Sequence, residues 1–315
     1  MVRAAGATGR RPPREWSREA VSGAATPRRP RAPLDLTKPA TVRAVARRSG
    51  LTLKRRLSQN LLVDPAALAA IVEALDPGAG DDVLEIGAGI GTLTVALAAR
   101  AHRVVALEVD EACLRATAIT LRGHANAIAV RLDVRQADPD ALGLGPDYLA
   151  AGNIPYHLTG AILTRLLEEV RPPLRAVFLV QREVAARLTA PAGDWSLATV
   201  AVRSLATVER VADLPPSAFE PPPAVHSSIL RLVPSPVLGS AERRAVLEVA
   251  RAAFQMRRKT LRHGVTRAAG GDAGLAAAAL EAAGLDAGRR PGTLDLDEWR
   301  ALATALEARR RSPAR

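Results

Sequence analysis

The stretch from Val83 to Gly91, which reads VLEIGAGIG, decides the fold class of this 315-residue chain. Its apolar residues suit a buried strand, its glycines occupy alternate positions, and a helical pattern follows from Thr92 to Arg100. Glycines in such a turn allow positive φ angles and close approach of a ligand, and the helix after them offers unpaired N–H groups. The pattern predicts an α/β fold with a polar, flat ligand over the glycine turn.

A carboxylate roughly 20 residues after the turn narrows the ligand class. Glu108 ends a second apolar strand, Val104 to Leu107, where α/β nucleotide folds keep a ribose-binding acid. Thr92 stands where a dinucleotide-binding G-x-G-x-x-G motif has its third glycine, which favours a nucleoside ligand without a pyrophosphate. S-adenosylmethionine is the common ligand of this kind. Another nucleotide, or a merely structural turn, is the open alternative.

Two further predicted strands are followed by polar residues. Ala127 to Leu132 precedes Asp133, and Tyr148 to Gly152 precedes Asn153. In an open parallel sheet the carboxyl ends of the strands share one edge, where ligands bind. Four strand ends would then meet there: Gly87, Glu108, Asp133 and Asn153. A single polar residue at a strand end is usually a turn residue, but three at successive strand ends, in register with a glycine turn, favour a site.

Asn153 begins the sequence NIPY, which ends at Tyr156. Methyl transfer to the exocyclic amine of adenine is difficult because the nitrogen lone pair is delocalised into the ring. The Asn153 side-chain oxygen and the carbonyl of Ile154 or Pro155 would accept the two N–H bonds and free the lone pair for attack on a sulfonium methyl group. Tyr156 would stack on a base extruded from its helix. The alternative is a turn with a packed aromatic residue.

Several motifs, taken in order, resemble those of the KsgA/RsmA-type ribosomal RNA adenine dimethyltransferases, whose relatives include the Erm resistance methylases. The resemblance runs from about Leu57 to Leu306 and is carried by SQNLLVDP, LEIGAGIG, GNIPY, FLVQREVAARL, PPSAFEPPPAVHSSILRL and AFQMRRKTLR. It implies an α/β fold: a Rossmann-like, S-adenosylmethionine-dependent methyltransferase sheet with a small C-terminal α-helical domain.

The resemblance also implies roles for individual residues. Glu108 would hold the cofactor ribose, Asp133 the adenine amine, and Asn153 both the cofactor and the target base. The implied cofactor-binding set is Asn60, Leu62, Gly87, Gly89, Glu108, Asp133 and Asn153. The implied catalytic set is Asn153, Pro155, Tyr156 and Phe178, in which the two aromatic rings would sandwich the target adenine. No metal is expected.

The activity that the resemblance implies is N6-dimethylation of two adjacent adenines in the 3′-terminal hairpin of 16S ribosomal RNA, on an immature small ribosomal subunit. An Erm-type enzyme acting on 23S ribosomal RNA is one alternative, and a non-catalytic assembly or transcription factor is another. The PPSAF and PPPAV segments, together with a full-length helical domain, favour the small-subunit enzyme. Retention of Asn153, Tyr156 and Glu108 disfavours the non-catalytic factor.

The formal charge of +12 is concentrated near the start of the chain. The first fifty residues contain twelve basic and three acidic side chains. Residues 1–45 mix arginine and proline without hydrophobic periodicity and are predicted to be a disordered extension. It would be a tail that adds non-specific RNA affinity, a functionless extension or a transit peptide.

The rest of the chain is predicted to form two domains, a methyltransferase domain over residues 46–236 and a helical RNA-binding domain over residues 237–315. One helix is predicted from Ala241 to Arg262, with cations bunched at its end for RNA phosphates: Arg257, Arg258, Lys259 and Arg262. The alternative is that these cations only stabilise a helix C-terminus. Further helices are predicted near Ala273 to Ala283 and Asp297 to Arg311.

Cys113 is the single cysteine of the chain, so an intramolecular disulfide is excluded and a small buried apolar role is expected for it. The chain has no uninterrupted apolar run near the roughly 20 residues that a membrane helix requires. We therefore expect no membrane association, a cytoplasmic location and, from the resemblance, a monomer.

Overall fold

A computed structural model describes residues 34–52, 60–155, 158–168, 171–256 and 258–311 of the chain. Residues Asp35–Arg315 form one compact unit. The remaining unit, Met1–Leu34, lies almost entirely outside the described residues.

The first helix corrects the predicted end of the disordered extension. Helix α1 (Pro39–Ser49) has proline at its first turn and ends at Gly50. Its Val42 and Val45 are buried in an apolar cluster with Ile90, which follows the glycine turn. The prediction of disorder is therefore wrong for residues 39–45, where a short apolar stripe between arginines is enough to dock a helix. Residues 1–33 lie outside the described ones.

The chain then alternates short strands and helices, as the sequence predicts. In order these are β1 (Leu61–Leu62), α2 (Pro65–Leu75), β2 (Asp82–Ile86), α3 (Thr92–Ala98), β3 (Arg103–Glu108), α4 (Glu111–Thr120), β4 (Ala127–Arg131) and β5 (Leu149–Asn153). Strand β5 includes Asn153 itself, one residue beyond its predicted end. The asparagine backbone is thereby held in the sheet, opposite Leu179 of β6, rather than in a turn.

The second half of the sheet region contains both parallel and antiparallel strand pairs. Its elements are α5 (Thr159–Leu167), β6 (Arg175–Gln181), α6 (Arg182–Thr189), α7 (Leu197–Arg203), β7 (Ala206–Leu214), β8 (Phe219–Glu220) and β9 (Ser227–Pro234). Within the described ranges the central sheet has seven strands in the order β4-β3-β2-β5-β6-β9-β7. Strands β4 to β6 of that order pair in parallel, and β9 pairs antiparallel with both β6 and β7. Strands β1 and β8 form a separate antiparallel pair.

The strand order reverses between β2 and β5. From β2 the chain proceeds outward through β3 and β4, and it then returns to β5 on the other side of β2. Such a switch point opens a crevice at the carboxyl ends of the strands, where open α/β sheets bind ligands. Gly87 and Asn153 flank this crevice, which confirms the predicted Rossmann-like α/β fold.

Both faces of the sheet are covered by helices. Along β6, Ala176, Phe178 and Val180 face the cluster that includes α5, whereas Val177 and Leu179 face the cluster that includes α2 and α3. A strand buried on both faces reads as a continuous apolar run, as β6 does.

The C-terminal part is helical, but its first predicted helix is two helices. The elements are α8 (Ser240–Phe254), α9 (Leu261–Ala268), α10 (Ala273–Ala282) and α11 (Leu296–Arg311). The Leu261 N–H donates to the Arg289 carbonyl at 2.7 Å, which ties the start of α9 to the loop before α11. A continuous helix from Ala241 to Arg262 is therefore wrong, because α9 turns back and packs against α8.

The four C-terminal helices share an apolar core around the fully buried Trp299. That core also contains Trp195 and Val200, which precede the predicted boundary at residue 236. The division into domains at 46–236 and 237–315 stays a prediction. In the part of the chain that the structure describes, no helix is long and apolar enough to cross a membrane.

Candidate active site

A cavity of about 440 Å³ lies where β2, β3, β4 and β5 end. It brings together all the residues predicted to bind the cofactor, and Pro155 as well. The predicted residues that line it are Asn60, Leu62, Gly87, Gly89, Glu108, Asp133, Asn153 and Pro155. The sequence prediction that these segments meet at one edge therefore agrees with the structure.

The glycine turn at the cavity requires glycine at two positions. Gly87 and Gly89 have φ angles of 82° and 58°, in the left-handed region. A Cβ atom on Gly87 would lie 3.2 Å from the Asn153 carbonyl oxygen, and one on Gly89 would lie 3.0 Å from the Leu61 side chain. The turn thus brings the end of β2 close to Asn153 at the end of β5.

Glu108 is held by backbone N–H groups. Its Oε2 accepts from Gly89 N at 2.9 Å, and its Oε1 accepts from Val109 N at 2.7 Å and from Asp110 N at 2.9 Å. A carboxylate has about four acceptor positions, of which three are used. Glu108 can therefore accept one ribose hydroxyl as it stands, and a second only in exchange for a backbone bond.

Asp133 pairs with a residue that the sequence reasoning missed. The Arg135 guanidinium lies 2.6 Å from Asp133 Oδ2, and the Arg135 N–H donates to Asp133 Oδ1 at 2.9 Å. These bonds hold the pKa of Asp133 below its usual value, the side-chain bond being the larger cause. Both residues line the cavity. The signal in the sequence was a basic residue two positions after the strand-end acid.

Asn153 is oriented by the segment before α2. Its Nδ2 donates to the Asn60 carbonyl at 2.7 Å. Because that bond uses the amide nitrogen, it leaves the side-chain oxygen as an acceptor at the cavity. Among the described residues no hydrogen bond to this oxygen is found.

Glu85 is a second residue that the sequence reasoning missed. It lines the cavity from the middle of β2, its side chain is buried, and its Oε2 has no hydrogen-bond partner among the described residues. Burial raises the pKa of Glu85 to about 8. An orphaned buried carboxyl at a ligand cavity is suited to a cationic group of the ligand.

Apolar side chains complete the lining. Val109, 59% exposed, stands beside Glu108 at the cavity and offers a surface for the face of a purine ring. Cys113 is buried, as predicted, and burial raises the pKa of its thiol. Cys113 is therefore protonated and unreactive at neutral pH.

The two aromatic residues predicted to sandwich the target base differ in outcome. Tyr156 lies outside the described residues. Phe178 is fully buried in the middle of β6 and does not line the cavity. The prediction for Phe178 is corrected, because its ring packs in the sheet core beside α5 and presents no face to a base. Phe219 is nearer the cavity, since it pairs with Leu62.

The predicted RNA-binding cations lie around the start of α9. Arg258, Lys259 and Arg262 are exposed, and Arg257 lies outside the described residues. Arg262 occupies the first turn of α9, where the helix dipole disfavours a cation. Stabilisation of a helix C-terminus, the alternative explanation, therefore does not account for Arg262.

Comparison of the sequence with known proteins identifies the family to which the chain belongs. A family model described as ribosomal RNA adenine dimethylase matches residues 50–286. The chain belongs to the ribosomal RNA adenine dimethylase family. Among curated members, the ribosomal RNA small subunit methyltransferase A of Anaeromyxobacter dehalogenans (strain 2CP-C) is 42% identical over 281 residues, which cover 84% of this chain and 97% of that protein. The protein of the same name from Bacillus mycoides (strain KBAB4) is 35% identical over 284 residues, covering 86% of this chain and 97% of that protein.

Two solved structures share the fold of this chain. The 23S rRNA methyltransferase ErmE is 29% identical, with a TM-score of 0.63, covering 79% of this chain and all of that one. A dimethyladenosine transferase from Plasmodium falciparum is 25% identical, with a TM-score of 0.64, covering 77% of this chain and 95% of that one. The similarity therefore extends well beyond the glycine turn.

Proposed function

We propose that this chain transfers methyl groups from S-adenosylmethionine to the N6 amines of two adjacent adenines in small-subunit ribosomal RNA, on an immature subunit in the cytoplasm. The observation that carries the proposal is the bond from Asn153 Nδ2 to the Asn60 carbonyl, which leaves the Asn153 oxygen as an acceptor at the cofactor cavity. Family membership and the names of the relatives support the same activity.

The cavity residues fit S-adenosylmethionine, which supplies an electrophilic methyl group on a sulfonium when bound. Glu108 would accept a ribose hydroxyl and Asp133 the adenine amine. Gly87 and Gly89 leave space for the amino-acid part of the cofactor. The orphaned carboxyl of Glu85 supports the fit, because the cofactor carries positive charge on its ammonium and sulfonium groups.

Two acceptors would activate the target amine. The Asn153 side-chain oxygen accepts one N–H bond, which pulls electron density back onto the nitrogen. The Pro155 carbonyl already accepts from Leu158 N at 3.0 Å. The Ile154 carbonyl is therefore the better candidate for the second acceptor. A nitrogen held by both acceptors can pyramidalise, which would direct its lone pair toward the methyl group that the bound cofactor would supply.

The relatives' names favour small-subunit RNA as the substrate. The two curated relatives named for the small subunit are aligned over 97% of their length at 42% and 35% identity. ErmE, which is named for 23S rRNA, is 29% identical. An Erm-type activity on large-subunit RNA is thus the alternative that an experiment must separate.

The test is methyl transfer from labelled S-adenosylmethionine to immature small subunits and, separately, to protein-free large-subunit RNA, with mass mapping of the products. Two adjacent dimethyladenosines in the small-subunit RNA would support the proposal. Modification of a large-subunit adenine alone would replace it with the Erm-type activity. Cofactor binding without transfer to either RNA would contradict both and favour a non-catalytic factor.

A further inference from the structure

Helix α5 contributes to the cofactor cavity on one face. On a different face it meets two further cavities, which adjoin each other. The larger, of about 700 Å³, is lined by α8, α9 and Glu168, which follows α5. The smaller, of about 420 Å³, lies between α5, α7 and α8. Glu168, Leu247 and Arg251 line both, so the two cavities form one continuous groove. We call it the arginine groove.

Arginine dominates the charge of this groove. Its lining includes five arginines from three helices: Arg165, Arg243, Arg244, Arg251 and Arg267. Two glutamates line it as well, and both are engaged: Glu168 pairs with Arg243, and Glu248 pairs with Arg310 at 3.0 Å. The acids therefore do not neutralise the remaining arginines.

Three of the arginines face the groove without an acidic partner among the described residues: Arg244, Arg251 and Arg267. All three are exposed. Scattered surface cations need no explanation, but like charges gathered in one concave surface repel one another and focus a positive potential. Such a groove is stabilised when a polyanion occupies it.

The groove has a length suited to an extended polyanion. Arg244, Glu248 and Arg251 of α8 and Gln255 at its C-cap follow the spacing i, i+4, i+7 and i+11, which places them in one stripe along the helix. At 1.5 Å per residue this stripe is about 16 Å long. Its arginine side chains can each bind a phosphate with a two-pronged hydrogen bond.

Helix α5 connects the groove to the active site. The helix follows the NIPY segment. Leu158, at its N-cap, and Ile162 line the cofactor cavity. Gly160, Ala161 and Thr164 on its neighbouring face line the groove. The smaller cavity of the groove and the cofactor cavity are therefore lined by different faces of the same helix.

We propose that the arginine groove binds the phosphate backbone of RNA that flanks the target adenines, as a contact surface separate from the cations around the start of α9. This proposal rests on the proposed function, since it takes the same RNA as the ligand. An acidic protein is disfavoured because protein interfaces are anchored by aromatic or large apolar side chains, whereas the large apolar residues of this groove are two leucines, Leu197 and Leu247.

The test compares the wild-type chain with the triple variant Arg244→Gln, Arg251→Gln, Arg267→Gln. Binding of a labelled RNA containing the 3′-terminal hairpin is measured by fluorescence anisotropy over a series of salt concentrations. Loss of three phosphate contacts should lower the slope of log Kd against log salt by about two, and should weaken binding at least about tenfold at low salt. Binding of S-adenosylmethionine, measured by calorimetry, should be unchanged because the three residues are outside its cavity.

Two controls make the result specific. The variant Arg48→Gln, Arg100→Gln, Arg122→Gln removes the same charge from exposed positions outside the groove, and it should keep the wild-type slope. Replacement of the three groove arginines by lysine should also keep most of the slope, because lysine retains the charge. A glutamine variant with the wild-type slope would overturn the proposal. Failure of the wild-type chain to methylate immature small subunits would instead overturn the proposed function.

Discussion

Glu85, the fourth of the five residues of strand β2, is an ionisable group buried in an apolar interior. Burial raises the pKa of Glu85 to about 8, although the nearby Thr94 hydroxyl acts in the opposite direction and the charge of Glu108 adds a smaller increase. The neutral acid is thus the stable form of the folded chain without a ligand near neutral pH. Binding of a positively charged cofactor would favour the ionised form.

Glu85→Gln should change how stability depends on pH. The unfolded chain loses the Glu85 proton near pH 4.5, whereas the folded chain keeps it to about pH 8. The contribution of this residue is therefore intact below pH 4.5 and is lost progressively up to about pH 8, by at most ~1.4 kcal/mol per pH unit. Glutamine does not titrate, so the variant should gain in stability relative to the wild type as the pH rises.

Urea unfolding at several pH values between 5 and 8 would measure this difference. Glu73→Gln, an exposed position on α2, is the matched control and should follow the wild type. Parallel stability curves for the wild type and Glu85→Gln would contradict the assignment of a buried neutral acid.

Asn153→Ala should abolish methyl transfer while leaving RNA binding largely intact. The change removes the acceptor for the target amine, and loss of one positioned polar group of this kind typically lowers kcat by about 10²- to 10³-fold. RNA affinity depends instead on exposed cations away from the cavity. Single-turnover transfer at saturating cofactor, with anisotropy for RNA binding, separates the two effects. Full activity in the variant would refute the assigned role.

At the scale of elements, strands β2 and β5 lie so close together at their active-site ends that a side chain at Gly152 would not fit between them. A Cβ atom on Gly152 would lie 2.3 Å from the Ile86 carbonyl oxygen, a backbone atom that cannot move aside alone. Gly152→Ala should therefore push β5 away from β2, lower the free energy of unfolding by about 1–3 kcal/mol and displace Asn153. Urea unfolding and transfer rates measure both effects.

Gly160→Ala on helix α5 is the control for this substitution. A Cβ atom there would be 4.0 Å from the nearest atom, the Ala198 Cβ. Alanine in a helix is favoured over glycine by about 0.5–1 kcal/mol, so this variant should be slightly more stable than the wild type. If both variants were equally destabilised, the close approach at Gly152 would not be the cause.

The sequence predicts the site better than it predicts the helices. Strand ends can be predicted because β2, β3, β4 and β5 are short, largely apolar runs that stop at a glycine or a polar residue. The break between α8 and α9 cannot be predicted from the local sequence, because the Leu261 N–H bonds to the carbonyl of Arg289, a residue far along the chain. Phe178 was misassigned for a related reason: an aromatic residue in a motif can belong to the core, and only its contacts show which.

Side-chain pairings are only weakly marked in the sequence pattern. The pairing of Arg135 with Asp133 was missed because its one signal, a spacing of two residues, does not show that the side chain folds back. The arginine groove was missed because its cations are spread over three helices, α5, α8 and α9. Local periodicity places each residue on a helix face but does not say which faces meet.

At the scale of the whole molecule, the charge is divided between the compact unit and the segment before it. Deletion of residues 1–33 removes eight arginines and two glutamates and leaves the unit that begins at Asp35. We expect unchanged cofactor binding and unchanged transfer at saturating RNA, with weaker RNA binding at low salt because fewer cations meet the phosphates. Anisotropy at two salt concentrations measures this. Identical affinities would favour a functionless extension.

The pairing of β1 with β8 sets an order of events during synthesis. Leu61 and Leu62, which line the cofactor cavity, pair with Glu220 and Phe219, which leave the ribosome more than 150 residues later. A nascent chain that ends before Phe219 contains the glycine turn and the NIPY segment but lacks the strand that pairs with this part of the cavity wall. Cofactor capture is therefore a late step in the maturation of the chain, and a truncated product would hold the cofactor weakly.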